Sequence, residues 1–275
     1  MSDDLIRDLA DWLRAVQPYG DDLVLVGGVV PWLYRAWAKP QGQPLFTTDV
    51  DVACGNRLPV RDRPLRECLE GSFRTREIPG FDPRDAVAHR FEHRRHSERA
   101  PVYFELVTPL VGREREPPRT EVQAGTPASM LRYVDLLLRE PLRIDVSELF
   151  GVEERLLVQA AHPAAFLVQK ALLSDRPERA RKRAGDLAHV VDVARLVLDR
   201  TDELTEWLER NATDATSKTW CRKADTILRR ELGAPSSDGT IEVALLFRDH
   251  EPDVDAELAS AVVIDLLDRL RLDRR

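Results

Sequence analysis

Apolar residues near the start of the chain, Leu5, Leu9, Trp12, Leu13 and Val16, recur at spacings of three and four. That spacing forms the stripe by which one face of an α-helix meets a core. Ser2 is placed to cap this helix and Gly20 marks its end. The pattern then shortens. Leu23 to Val26 is an apolar run that stops at Gly27-Gly28, and Val30 to Ala38 returns to helical spacing, so the order is strand, glycine turn, helix. Leu45 to Ala53 reads as a second strand and Val102 to Val107 as another. In the latter, Val102, Phe104 and Leu106 share one face, while Tyr103, Glu105 and Val107 share the other. Leu131 to Leu138 and Leu142 to Val146, split by Glu140-Pro141, read as a further strand pair.

After Gly151 the texture changes. Pro163 suits the first turn of a helix, and helical periodicity runs through Ala164 to Leu173, Glu178 to Leu198, Glu203 to Leu208, Asp214 to Leu232 and Val254 to Leu272, with Gly233 to Gly239 as a loop. The expected architecture is an α/β domain with a mixed sheet over residues 1–155, followed by an all-α domain over residues 156–275. The boundary falls between 150 and 162.

Composition narrows the class without naming it. At 275 residues and 43% hydrophobic, the chain fills a real core. The longest nearly apolar run, Leu23 to Leu33, carries two glycines and a proline and falls short of the roughly 20 residues that a spanning helix needs. No basic segment followed by an apolar stretch opens the sequence, so the expectation is a cytoplasmic protein with no membrane partner. The three cysteines, Cys54, Cys68 and Cys221, fit neither a disulfide framework nor a zinc site and read as buried reduced thiols. A net charge of −7 and a pI near 5.5 argue against bulk electrostatic coating of nucleic acid, though not against a local basic patch.

The candidate chemistry lies in Asp49-Val50-Asp51. On a strand the side chains alternate, so both carboxylates leave on one face, as a divalent cation requires. The spacing alone is weak, because 48 acidic residues in 275 give about eight such pairs by chance. Asp253-Val254-Asp255 repeats the tripeptide, but it opens a predicted helix, where acids favour the dipole. Context separates the two copies. Gly27-Gly28 ends a strand and begins a helix, where bare backbone N–H groups can approach phosphate oxygens, and Thr47 and Thr48 add hydroxyls beside the acids.

Val26-Gly27-Gly28, the helix through Leu33-Tyr34, and Thr48-Asp49-Val50-Asp51-Val52 resemble the first signature of the DNA polymerase β-like nucleotidyltransferase superfamily. Within it the chain is most similar to the AbiEii-type nucleotidyltransferases, known chiefly as toxins of toxin–antitoxin systems. The resemblance covers residues 23–53, 101–108 and 163–195. It implies a polymerase β-like α/β domain whose active-site cleft is closed by the helical domain. It also implies transfer of a nucleoside monophosphate from an NTP to an acceptor hydroxyl, with two magnesium ions, or manganese in their place. Glu105 is then the third metal carboxylate beside Asp49 and Asp51, and Gly27, Gly28 and Thr48 meet the nucleotide. Lys170 and Asp186 become a phosphate-neutralising lysine and its orienting acid, with Arg176, Lys182 and Arg183 as further phosphate contacts. The resemblance implies an RNA or protein acceptor and an antitoxin protein as partner, and the basic run Arg176 to Arg183 favours RNA, in particular a tRNA 3′ end.

This sequence departs from the commonest pattern at two places. Gly28 stands where serine is frequent, and Gly185 precedes Asp186 where lysine is frequent, a contact that Lys182 or Arg183 would have to replace. Bland readings stand beside these. Glu105 suits an exposed strand-face acid, Lys170–Asp186 an ion pair joining two helices, and Arg176 to Arg183 the solvated start of a helix. His89, His93 and His96, interleaved with Arg90, Arg94 and Arg95, read as a solvated or anion-contacting loop rather than a metal site. A small-molecule nucleotidyltransferase of the antibiotic-modifying kind and a non-catalytic nucleotide-binding module remain the alternative classes.

Overall fold

A computed structural model describes residues 3–38, 45, 47, 49–78, 88–96, 102–110, 119–248 and 251–275. Ser2 and Thr48, the expected cap and hydroxyl contact, lie outside the described residues. The chain divides into two compact units, Met1–Trp37 with Phe46–Ala161, and Ala38–Leu45 with His162–Arg275.

The first unit is built on a mixed sheet. In chain order its elements are α1 (Asp3–Ala15), β1 (Val24–Val26), α2 (Val30–Ala38), β2 (Asp49–Ala53), α3 (Leu65–Glu70), β3 (Phe73–Ile78) and β4 (Ala88–His93). Then follow β5 (Tyr103–Pro109), β6 (Arg119–Gln123), β7 (Thr126–Leu131), α4 (Val134–Leu137), β8 (Leu142–Asp145), α5 (Ser147–Phe150) and β9 (Leu157–Ala160). The strands run β3-β4-β5-β2-β1-β9-β8, with β7 also on β5 and β6 on β7. β2 and β5 are parallel neighbours at the centre, while β1 lies antiparallel to β2.

Alternation fixes which side of the sheet is which. Val50, Val52, Phe104 and Leu106 are buried and form the back. Against them α1 lays Trp12, stacked on Phe104 at 4.4 Å and flanked by Phe73 and Phe91 at 5.3 and 5.5 Å. The intervening residues Asp49, Asp51, Tyr103 and Glu105 are only partly buried and face the other way.

Two sequence expectations need correction. Leu131 to Leu138 is not a strand, because β7 ends at Leu131 and Tyr133 adopts a left-handed φ of 67°. The short helix α4 that follows buries Val134, Leu136 and Leu137, and an apolar run of this length cannot tell the two outcomes apart. Leu142–Asp145 pairs instead with β9. The histidine segment is not a loop either. Residues 88–93 form β4, His93 and His96 lie against Asp11 and Asp8 of α1, and Arg95 bridges both acids.

In the second unit the described elements are α6 (Pro163–Ser174), α7 (Arg183–Val197), α8 (Thr201–Asn211), α9 (Ala215–Leu232), α10 (Asp238–Phe247) and α11 (Ala256–Leu270). α10 was not expected. It begins at Asp238, inside the anticipated loop, and its Gly239 sits against the Glu231 carbonyl, where a Cβ would meet that oxygen at 2.6 Å. Asp255 caps α11, accepting from the Leu258 N–H at 2.8 Å, which gives the second Asp-Val-Asp a structural role. Cys54, Cys68 and Cys221 are free and buried, and burial pushes the thiols of Cys54 and Cys221 up to about 12 and about 11.

α6 is buried on nearly every side, and within it Lys170 donates to Asp186 of α7 at 2.7 Å, with both side chains more than nine-tenths buried. Arg179 reaches the other oxygen of Asp186 at 3.0 Å. Burial would raise the Asp186 carboxyl, but Lys170 and Arg179 outweigh it and hold it below its ordinary 3.8. His189 nearby is pushed down to about 3, by burial first and by Lys170 second, and stays neutral.

Two stability predictions follow from this packing. Trp12→Ala should cost the sheet unit about 3–5 kcal/mol, measured by urea unfolding, because the cavity opens onto three aromatic rings. Asp186→Ala should cost the helical unit about 3–5 kcal/mol by stranding a buried ammonium, while Lys170→Met combined with Asp186→Leu recovers most of that loss. Because the Asp186 carboxyl is depressed on folding, its contribution is present above the unfolded value and lost as pH falls through the folded one. Acid titration of the wild type against the double variant should show the difference shrinking only below about pH 4.

Candidate active site

The three carboxylates singled out in the sequence, Asp49, Asp51 and Glu105, lie on one face of the first unit's sheet. Cα registration pairs Asp51 with Glu105 and Asp49 with Tyr103 across the parallel β2–β5 ladder. Residues in register on neighbouring strands share a face, so Asp51 and Glu105 are lateral neighbours and Asp49 stands one pleat along. Thr47 steadies the start of β2, its hydroxyl donating to the Asp49 carbonyl at 3.0 Å and accepting from the Asp49 N–H at 3.3 Å.

Val26 is registered with Asp51, and the chain turns immediately afterwards. Gly27 adopts a φ of 72°, a left-handed conformation that favours glycine. A Cβ there would collide with the Asp51 carboxylate. The close approach of Asp51 to the backbone is therefore a second reason for glycine at 27. A single 3₁₀ turn, Gly27–Val29, leads into α2, and Tyr34 ties α2 to the end of β9 by donating to the Ala161 carbonyl at 2.5 Å. Backbone N–H groups at such a strand-to-helix turn are suited to an anionic ligand.

Two residues that sequence reading did not assign to the site belong to this cluster. Ser129 of β7 donates to Glu105 Oε1 at 2.6 Å, fixing one oxygen of that carboxylate. Arg90 of β4 is registered with Glu105 and stands 3.7 Å from Glu105 Oε2 and 3.6 Å from Asp49 Oδ1. Its guanidinium also lies 5.3 Å from the centre of the Tyr103 ring. Pro127 hid β7, since proline argues against a strand interior.

Among the described residues, no group of three carboxylate, histidine or cysteine side chains converges closely enough to hold a metal ion as the side chains stand. The donor set is nevertheless chemically apt. Three carboxylates on one face, with no soft ligand among them, suit a hard divalent cation, and Arg90 shows that this face already attracts positive charge.

The remaining candidates lie in the second unit. Lys170 and Asp186 are brought together as the buried pair described above. Arg183 is engaged by Glu231 and by Glu242, the latter at 2.6 Å. Arg181 and Lys182 are exposed. Arg176 precedes the 3₁₀ segment Pro177–Lys182.

No described helix is long and apolar enough to cross a membrane. A comparison with curated proteins finds no match. The family model described as nucleotidyltransferase matches residues 6–213, from α1 through α8. It therefore takes in the glycine turn, the carboxylate face and the Lys170–Asp186 pair, and spans well over half of the 275 residues. The chain belongs to the nucleotidyltransferase family.

Proposed function

We propose that the protein is a divalent-metal-dependent nucleotidyltransferase of the polymerase β-like, AbiEii-type kind, moving a nucleoside monophosphate from an NTP to a hydroxyl of RNA, with a tRNA 3′ end as the favoured acceptor. The observation that carries the reading is the placing of Asp49, Asp51 and Glu105 on one sheet face beside the left-handed turn at Gly27. In the reaction the acceptor oxygen bonds to the α-phosphorus as the bond from that phosphorus to the β-phosphate oxygen breaks. The electron pair leaves with pyrophosphate, and the hydroxyl proton passes to a base.

Bound magnesium, or manganese, would neutralise phosphate charge and lower the barrier to forming the attacking alkoxide. Asp49, Asp51 and Glu105 would hold it. Asp51, against the Gly27 turn, orients the phosphate end of the nucleotide. Glu105, oriented by Ser129, faces the acceptor side and is the candidate base. Backbone N–H groups of Gly27 and Gly28 steady the triphosphate, and Thr48 lies next to Asp49 in sequence. For Lys170, Arg176, Lys182 and Arg183 the proposal remains phosphate neutralisation in the nucleotide-bound state. The AbiEii resemblance also supports a toxic activity restrained by an antitoxin partner, and a cytoplasmic site of action.

Incubation with each labelled NTP, magnesium and total RNA should attach one nucleotide to RNA. Asp49→Asn and Asp51→Asn should each lower transfer by at least about a hundredfold while leaving the melting temperature equal or higher, since clustered carboxylates repel one another without metal. Asp255→Asn, in the α11 cap, should transfer at the wild-type rate. Loss of activity in Asp255→Asn equal to that in Asp51→Asn would sink the assignment. Gly27→Ala should also abolish transfer, because the added methyl displaces the Asp51 carboxylate and strains the turn, and loss of nucleotide binding by calorimetry checks this.

A further inference from the structure

The front of the sheet carries a row of charge that continues past the carboxylates. Arg76 is registered with Arg90, Arg90 with Glu105, and Glu105 with Asp51. Four adjacent strands thus present Arg76, Arg90, Glu105 and Asp51 side by side on one face, acidic toward the Gly27 turn and basic toward the β3 edge.

The two arginines have binding capacity left. Arg90 stands 3.6 and 3.7 Å from its carboxylates, beyond hydrogen-bond length, and its guanidinium makes no hydrogen bond among the described residues. Arg76 gives one nitrogen to Glu92 at 3.1 Å and is half exposed. The fully buried Glu92 is already shared with Arg74 at 3.3 Å, so two cations answer one carboxylate.

The direction of the row decides what it is for. In an in-line displacement the acceptor hydroxyl approaches opposite the departing pyrophosphate. With the triphosphate over the Gly27 turn beyond β2, the acceptor comes over β5 and β4. We propose that Arg90 is the acceptor-side anion contact of this site, that Arg76 extends it by one strand, and that both grip backbone phosphates of a single-stranded polynucleotide near its reacting 3′ end. This rests on the nucleotidyl-transfer reading of the carboxylates. Tyr103, under Arg90 and next to Asp49 on the same face, offers a ring on which a terminal base can stack. A polycationic small-molecule acceptor would meet Arg90 and Arg76 as like charge.

The test is fluorescence anisotropy of a labelled single-stranded RNA with a free 3′ hydroxyl, titrated with the full-length protein without NTP over a salt series. Arg90→Gln and Arg76→Gln should each weaken binding by at least about threefold and flatten the salt slope by about 0.7, as loss of one phosphate contact to a single strand requires. Arg90→Lys should restore much of the affinity, which a purely structural role for the guanidinium fork would not. In the transfer assay Arg90→Gln should raise the KM for RNA and leave that for NTP unchanged. Unchanged affinity and slope in both glutamine variants, with melting temperatures like the wild type, overturn the proposal. A wild-type protein that binds RNA through Arg90 yet transfers no nucleotide with any NTP and metal sinks the nucleotidyl-transfer reading and leaves the contact standing. Transfer to RNA that ignores both arginines sinks only the contact.

Discussion

The first unit depends on one constraint: the back of its central strands must be dry. Val50, Val52, Phe104 and Leu106 are buried, and Trp12 stacks against the last aromatic of that layer. Because side chains alternate with period two, burying this set forces Asp49, Asp51 and Glu105 to the opposite face. A one-residue slip in either strand would drive carboxylates into the aromatic core. The hydrophobic effect thus sets the geometry of the polar site, and it does so more firmly than any interaction among the carboxylates themselves, which repel one another.

That repulsion is met locally. Arg90 stands near two of the three acids and Ser129 donates to one of them, so the face is tolerable without a bound cation. Gly27 adds a second coupling, since the Asp51 carboxylate occupies the volume that a Cβ at 27 would need. The turn suited to phosphate and the carboxylate suited to metal are therefore one steric unit.

Much of this was legible in the sequence because it rests on local periodicity. Alternation in 49–53 and 102–107 is visible in the residues, and so is the strand-glycine-helix order at 23–38. Which strands lie side by side is a non-local fact that local periodicity does not carry. β7 was hidden by Pro127, and Ser129 with it. β4 was hidden because its alternation mixes arginine and histidine with one buried phenylalanine, Phe91, which resembles a polar loop until β5 is known to pair with it. Leu131 to Leu138 misled for the opposite reason. A continuous apolar run fits a buried strand and a buried helical turn equally, and the left-handed Tyr133 that decides between them leaves no compositional mark.

The molecule's charges fall into two kinds, and the difference bears on where chemistry resides. In the helical unit, Lys170, Arg179 and Asp186 satisfy one another, and Arg183 is held by Glu231 and Glu242. A buried, ion-paired ammonium gives up its partner only at a cost of several kcal/mol, so Lys170 meets phosphate only where the new contacts exceed that loss. On the sheet face the balance is different. Asp49, Glu105 and Arg90 are near one another without hydrogen bonding, and the side chain of Asp49 is 46% exposed. Such groups rearrange at little cost when a cation or phosphate arrives, because water already screens part of their interaction. The unspent charge, rather than the strongest ion pair, marks the face on which nucleotide and acceptor are to be sought.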